Sequence, residues 1–476
     1  MIREIARVLL AVALLAGTSE AAPPESSLGD YVGTYLNQPG RIFEIVAGDE
    51  LFAVQDEAKY RLQPSGVDEF VNAGGEKVSF RRGPTGEVLG FTVQGEYHVR
   101  QSTGVSAASA ALARPRPAGE DQPAHYQYHA PAELHDGIAV GDIAKSDIGA
   151  AIAGTIVRRV LDGTYRDVHS VLLYQHGQLV MEEYFYGYSI GRPHQLRSAT
   201  KSVVSVLAGI AVDAGAIPGV GARVLPSMKY TSYANPDPRK STMTLANFLS
   251  MSSGLDCNDH SSTSPGRETL VDEAPDWVKA TLDLPMINNP GSSGLYCSGG
   301  VAVVGRMVEN ATHLYLPDFA QARLFGPLGI ARTDWIWDYT LTNADKQYSQ
   351  IYLRPRDMLK LGILFLDGGR WQGRRVISAD WVRASLSEQS RVDDTAYGYF
   401  WWHPWLNVEM PGGAQHVDLN AAQGNGGQKI YVVPQYDLVA VFTGGDYNSA
   451  GSPPNKIMAQ IILPALISAR TGGATR

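Results

Sequence analysis

A serine and a lysine three residues apart, Ser198 and Lys201, open the stretch RSATKSVVSVLAG. At 3.6 residues per turn they share one helix face. After Lys201 only small, apolar or hydroxyl side chains follow until Asp213, the make-up of a helix buried nearly all round. A buried ammonium loses its hydration and needs a partner or a purpose. Nucleophilic chemistry fits: a serine hydroxyl reacts when a neighbouring base takes its proton, and free N–H groups at a helix start favour the developing negative charge. Burial in positive surroundings is expected to lower the lysine's pKa and make it a base. The plain alternative is a capping serine with a lysine reaching solvent. A second serine, Ser189, lies in Gly187-Tyr188-Ser189-Ile190-Gly191, a G-x-S-x-G match. That motif needs a strand, a sharp turn and a helix at once. Arg192-Pro193-His194 follows instead, so Ser198 is preferred.

Two further elements follow in order. Tyr296-Cys297-Ser298 comes after a Pro-Gly loop and before an apolar helix. A tyrosine beside cationic groups shuttles protons; by itself it is a packing residue. Asn425-Gly426-Gly427-Gln428 directly precedes the strand-like KIYVVP. Glycines at a strand edge let a substrate backbone come close; by themselves they are a strand-entry turn. In this order and spacing the three resemble the serine β-lactamase and penicillin-binding-protein superfamily. Its class C-related branch holds β-lactamases, D-alanyl-D-alanine peptidases, carboxylesterases and 6-aminohexanoate-dimer hydrolases. The resemblance covers about residues 125–470 and includes LANFLSMSSGLD, LFGPLGI and LRPRDMLKLGILFLDGGRWQG.

The resemblance implies that Ser198 attacks the carbonyl, that Lys201 and Tyr296 share the proton transfers, and that the backbone N–H groups of Ser198 and Gln428 form an oxyanion hole. Ser298, Asn425, Gly426 and Gly427 then contact substrate. Two departures stand out. Ser298 occupies a position where β-lactamases and peptidases usually carry Asn, and Asn425 one where the family usually has Lys or His. A neutral Asn donates a hydrogen bond but brings no charge for a substrate carboxylate. Both changes favour esters or uncharged amides. The aromatic run Tyr397 to Trp405 is either an acyl or aryl pocket or a hydrophobic strand pair. Three functions compete: an ester or amide hydrolase, a β-lactamase or D,D-peptidase, and a non-catalytic binding or sensor protein that keeps the fold.

The elements that must hold these residues are legible in outline. Residues 28–104 alternate apolar and polar with close Gly, Asp and Pro-Thr-Gly turns, the pattern of a small antiparallel all-β domain, barrel or sandwich. It loosely resembles the lipocalin-like domain that accompanies some serine hydrolases. An Ala-, Ser- and Pro-rich stretch, 105–123, reads as a flexible linker. Residues 124–472 read as one α+β domain. Its hairpins, turning at His176-Gly177 and at Pro434-Gln435-Tyr436-Asp437, join a common antiparallel sheet, with helices and Gly-rich loops between them.

Composition narrows the rest. The 476 residues carry a net charge of -8 with 18% charged residues, and no basic run suggests nucleic acid. Arg3 and Arg7, ten apolar residues from Val8 to Gly17, and Ser19-Glu20-Ala21 read as a signal peptide over residues 1–21, too short to remain as an anchor. The mature protein is then periplasmic or secreted, with no stable membrane anchor. The only cysteines, Cys257 and Cys297, would meet an oxidising compartment and are expected to pair. The eleven histidines are scattered with no H-E-x-x-H, so neither metal nor cofactor is expected. The expected partner is a small ester or amide substrate; the sequence leaves the oligomeric state open.

Overall fold

The computed structural model describes residues 27–38, 41–55, 58–72, 74–117, 119–342, 345–449 and 451–473. The expected signal peptide lies outside them. Two compact units separate: residues up to 109 except 57–59, and the remainder. In the first, strands Gly33–Gln38, Arg41–Ala47, Leu51–Gln55, Ala58–Gly66, Glu69–Val71, Lys77–Arg82, Val88–Val93 and Glu96–Ser102 close into a barrel in chain order. Closure comes from antiparallel pairing of the first strand with the last. Alternation turns Tyr35, Phe70, Phe80 and Phe91 into one core, which Tyr31 joins from the short helical turn Leu28–Tyr31, and their edge-on and tilted contacts fill the interior with side chains. The stretch 105–123 carries a short helix, Ala107–Ala111.

The second unit is built on an eight-stranded sheet. Its spatial order is Gln178–Tyr184, Val168–Gln175, Leu438–Gly444, Gln428–Val433, Asn420–Gly424, Trp402–His403, Thr395–Tyr397 and Ser390–Val392. All neighbours are antiparallel, and the last long strand pairs with the first, as the hairpins at the two ends of this unit imply. His176 and Gly177 both have positive φ, the conformation of a two-residue hairpin turn. The central strands are buried throughout, so both faces are covered. Ile430 and Val439 pack on Gly362 of the helix Pro355–Leu366. On the other face Tyr431 bonds Asn455 at the start of the C-terminal helices. That helical run passes through a wider turn, Met458–Ile462, just before Pro464, where a proline cannot donate its bond.

The helix Thr200–Asp213 is buried from Thr200 to Ala211. Gly209 lets Trp381 and Ile377 close on it. A second helix, Gly299–Thr312, lies beside it. A three-stranded sheet, His194–Gln195, Ile336–Thr342 and Asp345–Leu353, leads the chain into the first helix. Among the described residues no helix is long and apolar enough to cross a membrane.

Candidate active site

Ser198 sits in a tight turn, Arg197–Ala199, directly before the buried helix. Leu196 N–H donates to Ile351 O at 2.8 Å, and Ile351 N–H donates to Thr200 Oγ1 at 3.1 Å. The small sheet therefore grips the chain on both sides of the serine. Arg197 takes a positive φ of 51°, which costs a non-glycine residue on the order of 1 kcal/mol or more. Its guanidinium lies over the Tyr447 ring, 4.7 Å from the centroid. The end of strand Asn420–Gly424 presses on this turn: a Cβ on Gly424 would lie 2.1 Å from Leu196 O. Only glycine allows that approach.

Lys201, 5% exposed, donates from Nζ to Ser198 Oγ at 3.0 Å. The same Nζ lies 5.0 Å from the centroid of the Tyr296 ring. The three residues proposed from sequence thus meet, from positions about 100 residues apart. The protonation state differs from expectation. Burial alone would pull the lysine's pKa down, but the charges of Tyr296, Glu268 and Asp259, and a hydrogen bond with Tyr296, outweigh it and raise the pKa above the ordinary lysine value. The shift is thus opposite to the one expected from burial, because Tyr296 first, then Glu268 and Asp259, favour the charged form.

Tyr296 is fixed from several sides. Leu295 N–H donates to Met251 O and Asp259 N–H to Tyr296 O, both at 2.8 Å. Ser298 N–H donates to Asp259 Oδ2 at 2.8 Å. A disulfide joins Cys257 to Cys297 across these same two loops. The Tyr296 ring stacks on His260, centroids 5.0 Å apart, and on Trp402 at 5.4 Å, and meets Tyr397 edge-on. The aromatic run therefore divides: Tyr397, Phe400 and Trp401 are core, whereas Trp402 reaches the site.

A cleft of about 300 Å³ is lined by Ser198, His260, Tyr296, Trp402, Gly426, Gly427 and Lys429, among others. Gly426 and Gly427 both have positive φ, and Asp446 N–H donates to Gly426 O. Gln428 is fully buried, and its amide bonds Asn425 O, Gly444 O and Gly444 N–H. Gln428 itself does not line the cleft, although its neighbours Gly427 and Lys429 do. Asn425 lines the cleft, but its amide exchanges hydrogen bonds with Asn448 in both directions. Ser298 does not line this cleft; it lines a separate cavity of about 80 Å³ together with Lys201, Glu268 and Asp272. Ser189 is exposed in a turn and does not line the cleft.

Two cleft residues were missed from sequence. Lys429 is 8% exposed and bonds Gln423; burial lowers its pKa to about 8, and no ion pair neutralises it among the described residues. The cleft thus holds a cation after all, one residue past Gln428 instead of at Asn425. His260 is the other. Nothing in the local sequence marked it; its partners come from distant loops. No group of three or more His, Cys, Asp or Glu is placed to hold a metal among the described residues.

The Beta-lactamase family model matches residues 146–458. A 6-aminohexanoate-dimer hydrolase from Paenarthrobacter ureafaciens is 24% identical over 59% of this chain and 73% of its own length. A lovastatin esterase from Penicillium rubens is 29% identical over 37% of this chain and 46% of its own. A penicillin-binding protein homologue from Caulobacter crescentus superposes with a TM-score of 0.51 at 15% identity, over 69% of this chain and 99% of its own, a likeness of fold. With the family model spanning most of the second unit and the serine, lysine and tyrosine meeting in one site, the chain belongs to the Beta-lactamase family, within the serine β-lactamase and penicillin-binding-protein superfamily.

Proposed function

We propose that this protein is an exported serine hydrolase that cleaves small esters or amides through an acyl-enzyme on Ser198. The observation that carries the reading is the 3.0 Å hydrogen bond from Lys201 Nζ to Ser198 Oγ beside Tyr296. The Lys201–Tyr296 pair, one proton short of full protonation, is the proton acceptor. It takes the Ser198 proton as Oγ bonds to the carbonyl carbon, and returns it to the leaving alkoxide or amine as that bond breaks. Lys201 also orients Oγ through their hydrogen bond. The backbone N–H groups of Ser198 and Gln428 stabilise the carbonyl oxyanion. Water then releases the acyl group.

Esters are the preferred substrates. The lovastatin esterase among the relatives supports this, as does the neutral Asn425 in place of a cation. Lys429 favours a second reading for part of the range: substrates that carry a carboxylate, β-lactams and peptides among them. The signal-like N-terminus and the paired cysteines support export to the periplasm or beyond. The N-terminal barrel is proposed to be lipocalin-like, and the boundaries 28–104, 105–123 and 124–472 stand as the proposed organisation. A panel of short-chain esters, D-amino-acid amides and a chromogenic cephalosporin tests the reading. Ester turnover abolished by Ser198→Ala is expected; cephalosporin turnover exceeding ester turnover would overturn the preference.

A further inference from the structure

His260 has a geometry that the acylation chemistry leaves unused. Its Nδ1 lies 2.5 Å from Asp393 Oδ2. A carboxylate only accepts, so Nδ1 carries the proton, and in the neutral ring Nε2 is left as a base. The ring is stacked on Tyr296 at an interplanar angle of 11°, which fixes its plane, and it lines the cleft that holds Ser198. Its side chain is 47% exposed, so water reaches it. Asp393 is presented by a two-residue hairpin turn between Val392 and Thr395. Asp393 and Asp394 both take positive φ, 46° and 62°, a conformation for which glycine or asparagine is better suited. Other histidines show the contrast. His176 has both ring nitrogens bound, to Asp147 and Asp437, which leaves no base; the Nε2 of His416 is held by Asp418. His260 has one nitrogen held, and its ring lines the cleft.

We propose that His260, oriented by Asp393, is the general base of deacylation. The proposal rests on the acyl-enzyme reading above. Water enters at the open side of the cleft. As its oxygen bonds to the acyl carbon, one of its protons passes to His260 Nε2. The tetrahedral intermediate then breaks its bond to Ser198 Oγ, which takes a proton from the Lys201 ammonium along their hydrogen bond. His260 loses its proton to solvent and Lys201 regains one. Acylation does not use His260.

The test separates the two half-reactions with a p-nitrophenyl ester, by rapid mixing and by intact-mass measurement of the acyl-enzyme during turnover. In His260→Gln the burst of p-nitrophenol is expected to slow only a little, through the lost stacking on Tyr296, while steady-state turnover falls roughly a hundredfold and acylated protein accumulates. Asp393→Asn is expected to show the same pattern with a smaller loss. Imidazole added to His260→Gly is expected to restore deacylation alone. A burst and a steady-state rate that fall by the same factor would make His260 merely a prop for the Tyr296 ring and overturn the proposal, as would unchanged turnover. All three variants are exposed-loop changes, and the melting temperature reports their folding. A wild-type chain that never becomes acylated on Ser198 overturns the parent reading, and the proposal with it; acylation that proceeds while His260→Gln deacylates normally overturns the proposal alone.

Discussion

Removing the Cys257–Cys297 disulfide should damage both stability and turnover, for separable reasons. The bridge spans a sequence separation of 40. The chain-entropy relation gives about 4 kcal/mol for a loop of that size. The second unit runs essentially from 110 to 476, and a unit of that size has an unfolding entropy near 0.75 kcal/mol/K, so the loss corresponds to about 5 °C in melting temperature. The local effect lies at the tyrosine. Without the bridge, the loop bearing Tyr296 is still held by Leu295 to Met251, Asp259 to Tyr296 and Ser298 to Asp259, bonds worth about 1 kcal/mol each. The register therefore survives, but the hydroxyl gains freedom relative to Ser198, and displacements of about 1 Å can cost a hundredfold. A loss of about tenfold in kcat with little change in KM is expected. The assay is ester turnover and calorimetry on Cys257→Ala/Cys297→Ala and on wild type reduced at low temperature, so that lost sulfur packing and lost restraint are distinguished. A melting temperature that falls while kcat holds would refute the positioning argument; no change in either would refute both arguments.

Three other outcomes follow from particular contacts. Gly424→Ala places a methyl 2.1 Å from Leu196 O; the nucleophile turn must shift, at a cost of about 1–3 kcal/mol, and turnover should drop more than the melting temperature suggests, which paired kinetics and calorimetry check. His169 and His194 are buried together, Nδ1 to Nε2 at 2.9 Å, and burial lowers both pKa values, His194 to about 4; the unfolded chain binds more protons there, so stability should fall as pH drops from about 6.5 toward 4, by roughly 3 kcal/mol for His194 alone, and a melting curve flat across that range would contradict it. Lys429 loses its charge as pH rises through about 8; the kcat/KM ratio of an anionic ester to its neutral analogue should decline across that range by about tenfold, and Lys429→Met should remove the dependence.

What the sequence revealed and what it hid divide along one line. Ser198 and Lys201 were legible because one helix turn sets their distance. Tyr296 and the strand beginning at Gln428 were legible because each announces itself by a loop, an apolar run and an order along the chain. The barrel's alternation and the hairpin turn at His176-Gly177 are equally local. The upward shift of the Lys201 pKa was hidden, because the groups that cause it, Tyr296 first and then Glu268 and Asp259, stand some 60 to 100 residues further along the chain. Lys429 read as an ordinary strand residue until the pairing of Gln423 with Lys429 placed it over the cleft. His260 and Asp393 stand 133 residues apart, and neither carries a local signal. Asn425 was read as a substrate contact because it stands where the family has a cation; its bonds to Asn448 depend on a loop that only the folded sheet brings near.

The most direct measurement of the central claim is the site of covalent labelling. The protein is treated with a fluorophosphonate, digested, and the modified residue located by mass spectrometry, alongside Ser198→Ala, Ser189→Ala and Tyr296→Phe. One label per chain is expected on Ser198, none in Ser198→Ala, full labelling in Ser189→Ala, and labelling slowed by about a hundredfold or more in Tyr296→Phe. Label on Ser189, or label that persists in Ser198→Ala, would contradict it.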